Sequence, residues 1–242
     1  MILSIFNVIY PVAELLEIFR KHIRGEDKVY LVGGVVRDEF TGSLPHDIDL
    51  IVFGNIRSYV KAVAADLKSP FFIMDDVRDS ARIIVDGQNE KPLIIDFIAS
   101  RGATIATDLT EHDFTLNAIA VDINDLDVLI DPLNGLQDIK DKILRVCSSH
   151  AMLDDPLRIL RGIRLVFQFG LKVDPETLRL MKAASMGLKN ISGERIRDEL
   201  FKMLVGPQAS TAVRLLDQIG ALVHILPELV LLKGVSQSPP HT

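Results

Sequence analysis

Among its 242 residues the chain has one cysteine, Cys147, no tryptophan, and a net charge of −6. A lone cysteine excludes an intramolecular disulfide framework and any cysteine-based zinc site, and it suits a reducing cytosol. No run of about 18 uncharged apolar residues occurs, so nothing reads as a membrane span. The apolar start, Met1 to Phe19, lacks a basic leader and carries Pro11, Glu14 and Glu17, which argues against a signal peptide. The shortage of positive charge weighs at first against a polyanionic partner. Its distribution reverses that reading. Residues 156–205 hold ten Lys and Arg against five Asp and Glu, a local +5 that leaves −11 on the remainder. A composition of 48% hydrophobic and 25% charged residues excludes collagen-like, low-complexity and wholly disordered chains. The length allows one large domain or two small ones.

Two textures follow one another. From Pro11 onward, Val12, Leu15, Leu16, Phe19 and Ile23 have helical spacing. Short β-branched runs then cover Val29–Val32, Ile48–Phe53, Phe71–Met74, Ala81–Val85, Leu93–Phe97 and Ala118–Ile123, with a helical stretch at Ile56–Leu67. After about residue 150 the spacing is helical throughout, over Leu153–Phe169, Pro175–Ala184, Gly193–Leu204 and Ala209–Ile219. The expected fold is α+β, a mixed-sheet domain over residues 1–145 followed by an all-helical domain over 146–242.

The chemistry concentrates in a few places. An apolar strand runs into Gly33-Gly34 and then a helix-like segment with Arg37. Bare backbone N–H groups there can approach a phosphate, although a plain tight turn also uses paired glycines. Asp47 and Asp49 flank Ile48 within a strand, so they share a face about 6.6 Å apart along it. Two such carboxylates can bridge a pair of magnesium ions roughly 3.5–4 Å apart; an exposed face with two solvated acids is the alternative. Asp96 is a further acid inside a strand pattern. It reads as a third metal-site carboxylate or as an acid facing water, and Arg101 is the candidate partner for its charge. In the helical half, Asp155 and Arg158 stand at i and i+3, which on a helix face sets an acceptor beside a fork of donors. Cytosine and adenine offer an amino donor next to a ring acceptor, whereas uracil and guanine reverse it, so such a pair selects CTP and ATP. Arg161 and Arg164 continue the spacing, drifting about 60° per step, toward phosphates or solvent.

These residues resemble the head and neck of class II tRNA CCA-adding enzymes and bacterial poly(A) polymerases. The match rests on Leu31-Val-Gly-Gly-Val-Val-Arg-Asp38 and Asp47-Ile-Asp49, then Asp108-Leu109 with Asp113-Phe-Thr-Leu-Asn-Ala118 and Asp131-Pro-Leu-Asn-Gly-Leu-Gln-Asp138. It continues through Asp154-Asp-Pro-Leu-Arg-Ile-Leu-Arg-Gly-Ile-Arg164 and Ser192-Gly-Glu-Arg-Ile-Arg-Asp-Glu-Leu200, and it spans about residues 12–237. The resemblance implies a polymerase-β-like nucleotidyltransferase head, followed by a helical neck that selects the nucleotide and binds RNA. It implies magnesium-dependent, template-independent transfer of CMP or AMP from CTP or ATP to a tRNA 3′ end, in the cytoplasm. By the same resemblance Asp47 and Asp49 hold Mg2+ and Asp96 joins them in catalysis. Gly33, Gly34, Arg37, Asp113, Asn117, Asp155, Arg158, Arg161 and Arg164 contact the nucleotide.

Two departures bear on the product. Glu111 and His112 stand where the family has two arginines, so a nucleotide-contacting cation is lost or is replaced by a protonated His112. Only Gly102–Thr107 separates Arg101 from Asp108, a shortening found in the CC-adding subgroup. CC-only or A-only addition and poly(A) synthesis are alternatives, as is an RNA- or nucleotide-binding head without turnover. The last residues, Lys233 to Thr242, match the family where it continues, so the chain reads as the catalytic front of a longer protein.

Overall fold

The computed structural model describes residues 12–45, 47–75, 79–86 and 92–235. The chain divides into two compact units, Met1–Asp141 and Lys142–Thr242. Counted over the sequence, the first carries 13 Lys and Arg against 24 Asp and Glu, and the second 14 against nine.

The first unit is built on a mixed seven-stranded sheet. Helix α1 (Val12–Lys21) precedes β1 (Lys28–Val32), α2 (Gly34–Thr41), β2 (Asp47–Phe53) and α3 (Ile56–Leu67). Then come β3 (Phe71–Asp75), β4 (Ser80–Val85), β5 (Leu93–Ala99), α4 (Ile105–Leu109), β6 (Ala120–Asp122), β7 (Asp125–Ile130) and α5 (Gly135–Asp141). The strand order is β3-β4-β5-β2-β1-β6-β7. Only the central β2–β5 pair is parallel; its neighbours run antiparallel. The pairing follows from period-two patterning, which sends Ile48, Leu50 and Val52 of β2 to the same face as Ile95 and Phe97 of β5. That face takes up α1 and α3. Phe97 is fully buried, and its ring meets the edges of Phe19 at 6.1 Å and Tyr59 at 6.0 Å. The Tyr59 hydroxyl donates to the Phe19 carbonyl at 3.0 Å, and burial pushes its phenol well above the ordinary range. Helix α3 starts where the Asn55 side chain accepts the Ser58 N–H, and it ends at Lys68 in the left-handed region.

The second unit holds β8 (Ile143–Leu144), α6 (Ala151–Asp154), α7 (Arg158–Phe169), β9 (Lys172–Val173) and α8 (Pro175–Ala184). It ends with α9 (Gly193–Leu204), α10 (Ala209–Gln218), α11 (Leu222–Ile225) and α12 (Pro227–Leu231). Helices α7, α9 and α10 pack together, with Ile159, Leu160 and Ile163 of α7 buried beside Leu200, Met203, Ala212 and Leu216. Ile143 and Leu144 pair with Lys172 and Val173, so this ladder lies within the second unit. The second unit is therefore helical except for this two-residue ladder.

Three elements differ from the sequence expectation. The run Ala118–Ile123 narrows to β6, because Thr115–Asn117 forms a 3-10 turn that takes in the Ala118 N–H. Strand β7 was not expected, since Asp125 and Asp127 hide the inward-facing Leu126 and Leu129. The stretch Leu153–Phe169 breaks at Asp155-Pro156-Leu157 into α6 and α7. Proline has no N–H to donate, and it drives the residue before it to an extended conformation, here φ −145° and ψ 94° at Asp155. The expected helix start at Pro11 lies outside the described residues.

Phe97→Ala is expected to lower unfolding free energy by about 3–5 kcal/mol, and Asn55→Ala, which removes one cap at the surface, by about 1 kcal/mol. Urea unfolding followed by circular dichroism measures both; equal effects would contradict the placement of the core.

Candidate active site in the first unit and the helical cation cluster in the second

Antiparallel pairing of β1 with β2 sets Val32 opposite Asp49, so the end of β1 and the start of β2 meet at one sheet edge. There the chain turns through Gly33 into α2. Gly33 has φ 72°, and a Cβ on it would stand 3.0 Å from Asp49 Oδ2, so glycine serves both the backbone conformation and the close approach. A Cβ on Gly34 would lie 3.4 Å from Arg37 Nη2 and 3.8 Å from Asp47 Oδ1. The two glycines, Arg37 and both acids are thus assembled at one place. Asp47 is exposed and Asp49 half-buried, both on the face opposite the α1–α3 core.

Asp96 lies beside Asp49 in the parallel β2–β5 register, and Arg82 of β4 lies on its other side. Arg82 donates Nε to Asp96 Oδ1 at 2.7 Å and Nη2 to Oδ2 at 2.8 Å, a bidentate pair. This hydrogen-bonded contact holds the Arg82 guanidinium above its ordinary pKa against its partial burial, with Asp47 and Asp49 adding to the field. The partner of Asp96 is therefore Arg82 and not Arg101, whose backbone N–H instead donates to Asp108 Oδ2 at 2.5 Å. For a metal ion, Asp47 and Asp49 form the suitable donor set: hard oxygens at i and i+2, one open to solvent. Each Asp96 oxygen accepts one N–H of the guanidinium, and a lone pair remains on each, so the acid that lies beside Asp49 keeps donor capacity.

Arg37 is fixed from two sides. Its Nε and Nη2 reach buried Asp38 Oδ1 at 2.8 and 2.7 Å, and its Nη1 donates to Asn117 Oδ1 at 2.6 Å. Asn117 Nδ2 donates in turn to Asp113 Oδ1 at 3.0 Å, which also accepts the Phe114 N–H. Arg37, Asn117 and Asp113, 76 to 80 residues apart in the chain at their extremes, are one hydrogen-bonded row. Behind it, Thr115 donates to buried Asp138 at 2.7 Å. Asp131 accepts the N–H groups of Gly135 and Leu136, fixing the start of α5.

The Gly102–Thr107 connection is closed on itself. Thr104 and Thr107 form a reciprocal capping box, and Asp108 accepts the N–H groups of Arg101 and Gly102. Burial would raise the Asp108 carboxyl, but hydrogen bonds from His112 and from those two N–H groups outweigh it and hold it below the usual range. His112 stands 3.7 Å from Asp108 and 3.2 Å from the Asn117 carbonyl. Through these two contacts it buttresses the segment that carries Asn117.

In the second unit, Asp155 lies in the turn between α6 and α7, not on a helix face. Arg158 remains beside it because its N–H donates to the Asp155 carbonyl at 3.0 Å. One Asp155 oxygen accepts the Leu157 N–H at 3.2 Å, and the other accepts Arg195 Nη2 of α9 at 2.8 Å. Further along α7, Arg164 Nε donates to buried Glu199 at 2.9 Å, and Arg161 approaches the same carboxylate at 4.0 Å. Arg164 is thus a strut between α7 and α9. Sequence reading missed Arg82, Asp38, Arg195 and Glu199 as site residues. For Arg82 a signal existed: a lone cation inside one apolar strand, followed in the chain by an apolar strand with a lone acid.

Comparison with known proteins places these units. A family model described as "Poly A polymerase head domain" matches residues 81–145, and "Probable RNA and SrmB- binding site of polymerase A" matches 170–232. The chain is 38% identical over 199 residues to the CC-adding tRNA nucleotidyltransferase of Geobacter sulfurreducens, covering 82% of this chain and 45% of that protein. It is 36% identical over 222 residues to the multifunctional CCA protein of Stenotrophomonas maltophilia strain K279a, covering 87% and 54%. Among solved structures, the Thermotoga maritima CCA-adding enzyme complexed with tRNA aligns with TM-score 0.78 at 31% identity, over 95% of this chain and 53% of that one. A CCA-adding enzyme with ATP aligns with TM-score 0.80 at 30% identity, over 99% and 58%. The chain spans about half the length of the relatives it matches. Nucleotidyltransferases of this kind generally use a divalent metal ion, and no helix among the described residues is long and apolar enough to cross a membrane. On head, neck, motif order and relatives together, the chain belongs to the family of class II tRNA nucleotidyltransferases and bacterial poly(A) polymerases.

Proposed function

We propose that the chain carries the catalytic part of a magnesium-dependent enzyme that transfers CMP, AMP or both from CTP and ATP to a tRNA 3′ end. The observation that carries this reading is the assembly of Asp47, Asp49, the Gly33-Gly34 turn and Arg37 at one sheet edge. The names of the relatives and of the solved complexes with tRNA, ATP and CTP support the substrate classes.

Held by Asp47 and Asp49, magnesium would supply an acidified RNA hydroxyl and neutralise charge on the departing pyrophosphate. The protein's own residues do the positioning. The Gly33-Gly34 backbone admits the triphosphate closely, and Arg37, held by Asp38 and Asn117, presents a fixed guanidinium to it. Asp113 steadies that row through Asn117. Arg82 offsets the Asp96 charge through its bidentate pair. In the second unit Asp155 and Arg158 read the base edge, Arg195 orients Asp155, and half-exposed Arg161 meets phosphate. Arg164 acts through Glu199 as a positioning residue.

Cytidine addition without the final adenosine is favoured by the Gly102–Thr107 connection. A short segment stapled by Thr104, Thr107 and Asp108 has few conformations with which to change nucleotide. The named activity of the Geobacter relative points the same way.

With tRNA lacking its CCA end and single nucleotides, CTP should be incorporated readily and UTP and GTP poorly. Sequenced products from mixed CTP and ATP should end in CC. Ends in CCA would refute the cytidine restriction, and equal use of all four nucleotides would refute base reading by Asp155 and Arg158. Asp47→Ala or Asp49→Ala should lower transfer about a thousand-fold or more with an unchanged circular dichroism spectrum. Asp155→Ala should reduce the preference for CTP over UTP by about 10- to 100-fold, measured as the ratio of kcat/KM values.

A further inference from the structure

Strand pairing lines up one row of residues across the first unit's sheet. From β3 to β6 it reads Phe72, Arg82, Asp96, Asp49, Val32 and Ala120. The charged members are consecutive, and apolar residues bound them on both sides. Neighbouring strands lie about 4.8 Å apart, so Arg82 stands one strand from Asp96 and about 10 Å from Asp49 along the row. At that range a charge acts on an ion held by Asp49 without touching it. The hydrogen bonds to Asp96 hold the Arg82 guanidinium above its ordinary pKa, and Asp47 and Asp49 add to that field. A partly exposed ion pair contributes little to folding, so its alignment with the acids calls for another explanation.

The guanidinium fork also limits what Asp96 can do. Its Nε and Nη2 close the side of the carboxylate that lies between the two oxygens. An ion can meet Asp96 through a remaining lone pair, but not through both oxygens at once. Arg37, near Asp47, is matched by Asp38 and leaves the local balance unchanged. Asp47, Asp49 and Asp96 against Arg82 give a formal charge of −2, which becomes −3 without the arginine. Resting on the magnesium site proposed at Asp47 and Asp49, we propose that Arg82 is a positioning residue that restrains Asp96 and keeps the carboxylates from holding a divalent ion tightly before nucleotide arrives. Magnesium held by one or two carboxylates takes further oxygens from substrate phosphates. A site restrained in this way takes its ion together with the triphosphate and gives it up with pyrophosphate.

Manganese(II) titrated into the 242-residue chain without nucleotide tests this, read from the electron paramagnetic resonance signal of the free ion. Arg82→Gln should bind the ion about tenfold more tightly than the parent, the effect of one unit charge on a divalent ion at this range. Arg82→Lys keeps the charge and should stay within about threefold of the parent. Asp96→Asn should bind about tenfold more weakly, and combining it with Arg82→Gln should return the parent's affinity, since the formal charge is again −2. A strut with no part in ion binding would move only the thermal midpoint. An Arg82→Gln affinity equal to or weaker than the parent's overturns the proposal, as does a double variant that stays as tight as Arg82→Gln. If Arg82→Gln unfolds, the double variant must still bind about tenfold more tightly than Asp96→Asn, or the proposal fails. Binding that survives Asp47→Asn refutes the site at Asp47 and Asp49 and this role with it. Binding lost in Asp47→Asn but unmoved by Arg82→Gln overturns the role of Arg82 alone.

Discussion

Three carboxylates on two adjoining strands, Asp47, Asp49 and Asp96, impose the constraint around which the first unit is arranged. Parallel register brings Asp49 and Asp96 side by side, where like charges repel and weaken the sheet. The bidentate pair of Arg82 with Asp96 relieves this from the third strand. The glycine turn follows from the same crowding. With a side chain at residue 33, either Asp49 or the turn would have to move. The sheet's apolar face can then be conventional, because everything charged has been placed on its other face or at its end.

The second unit solves the inverse problem. Its excess is positive, and its acids are used to hold cations apart and in place. Glu199, nearly buried, gathers Arg164 at 2.9 Å, with Lys202 at 3.8 Å and Arg161 at 4.0 Å, and so ties α7 to α9. A buried carboxylate with one partner would cost several kcal/mol; three surrounding cations make it a fastening point. The charge separation between units, −11 and +5, therefore has an internal structure in each: acids gathered on the sheet beside Arg82 in the first, arginines organised by acids in the second.

Most element positions were legible in the sequence because they depend on local period and punctuation. Ile56–Leu67 and Gly193–Leu204 appear with the expected bounds, and Asp47 and Asp49 share a face because Asp47–Phe53 is one strand. The Gly33-Gly34 turn and its nearness to the acids were legible as a pattern, although the reason for it, Val32 opposite Asp49, is a matter of strand order. What sequence spacing could not supply were partners across elements. Asp96 meets Arg82 at a separation of 14, Arg164 meets Glu199 at 35, and Asp155 meets Arg195 at 40. These contacts are set by sheet order and helix packing, which is why adjacent Arg101 was the natural but incorrect candidate. The surroundings of His112 were hidden for a related reason: its place in the motif did not say that its ring would face Asp108 and the Asn117 carbonyl.

The break at Pro156 changes the physical basis on which Asp155 and Arg158 stand together. On a continuous helix, Asp155 and Arg158 would be neighbours only by rise and twist, and the carboxylate would be free to rotate. In the turn, the extended backbone of Asp155 sends its side chain back over the start of α7, where one oxygen accepts Leu157 N–H and the other accepts Arg195. A carboxylate offers about four lone-pair sites. Two are used for orientation, and acceptor capacity remains on each oxygen, as the proposed contact with a base amino group requires. The orientation that a helix would have left to chance is thus set by a proline, a backbone N–H and an arginine from another helix. Selectivity in such a site comes from the cost of leaving fixed polar groups unpaired, so the groups that fix Asp155 matter as much as the face it presents.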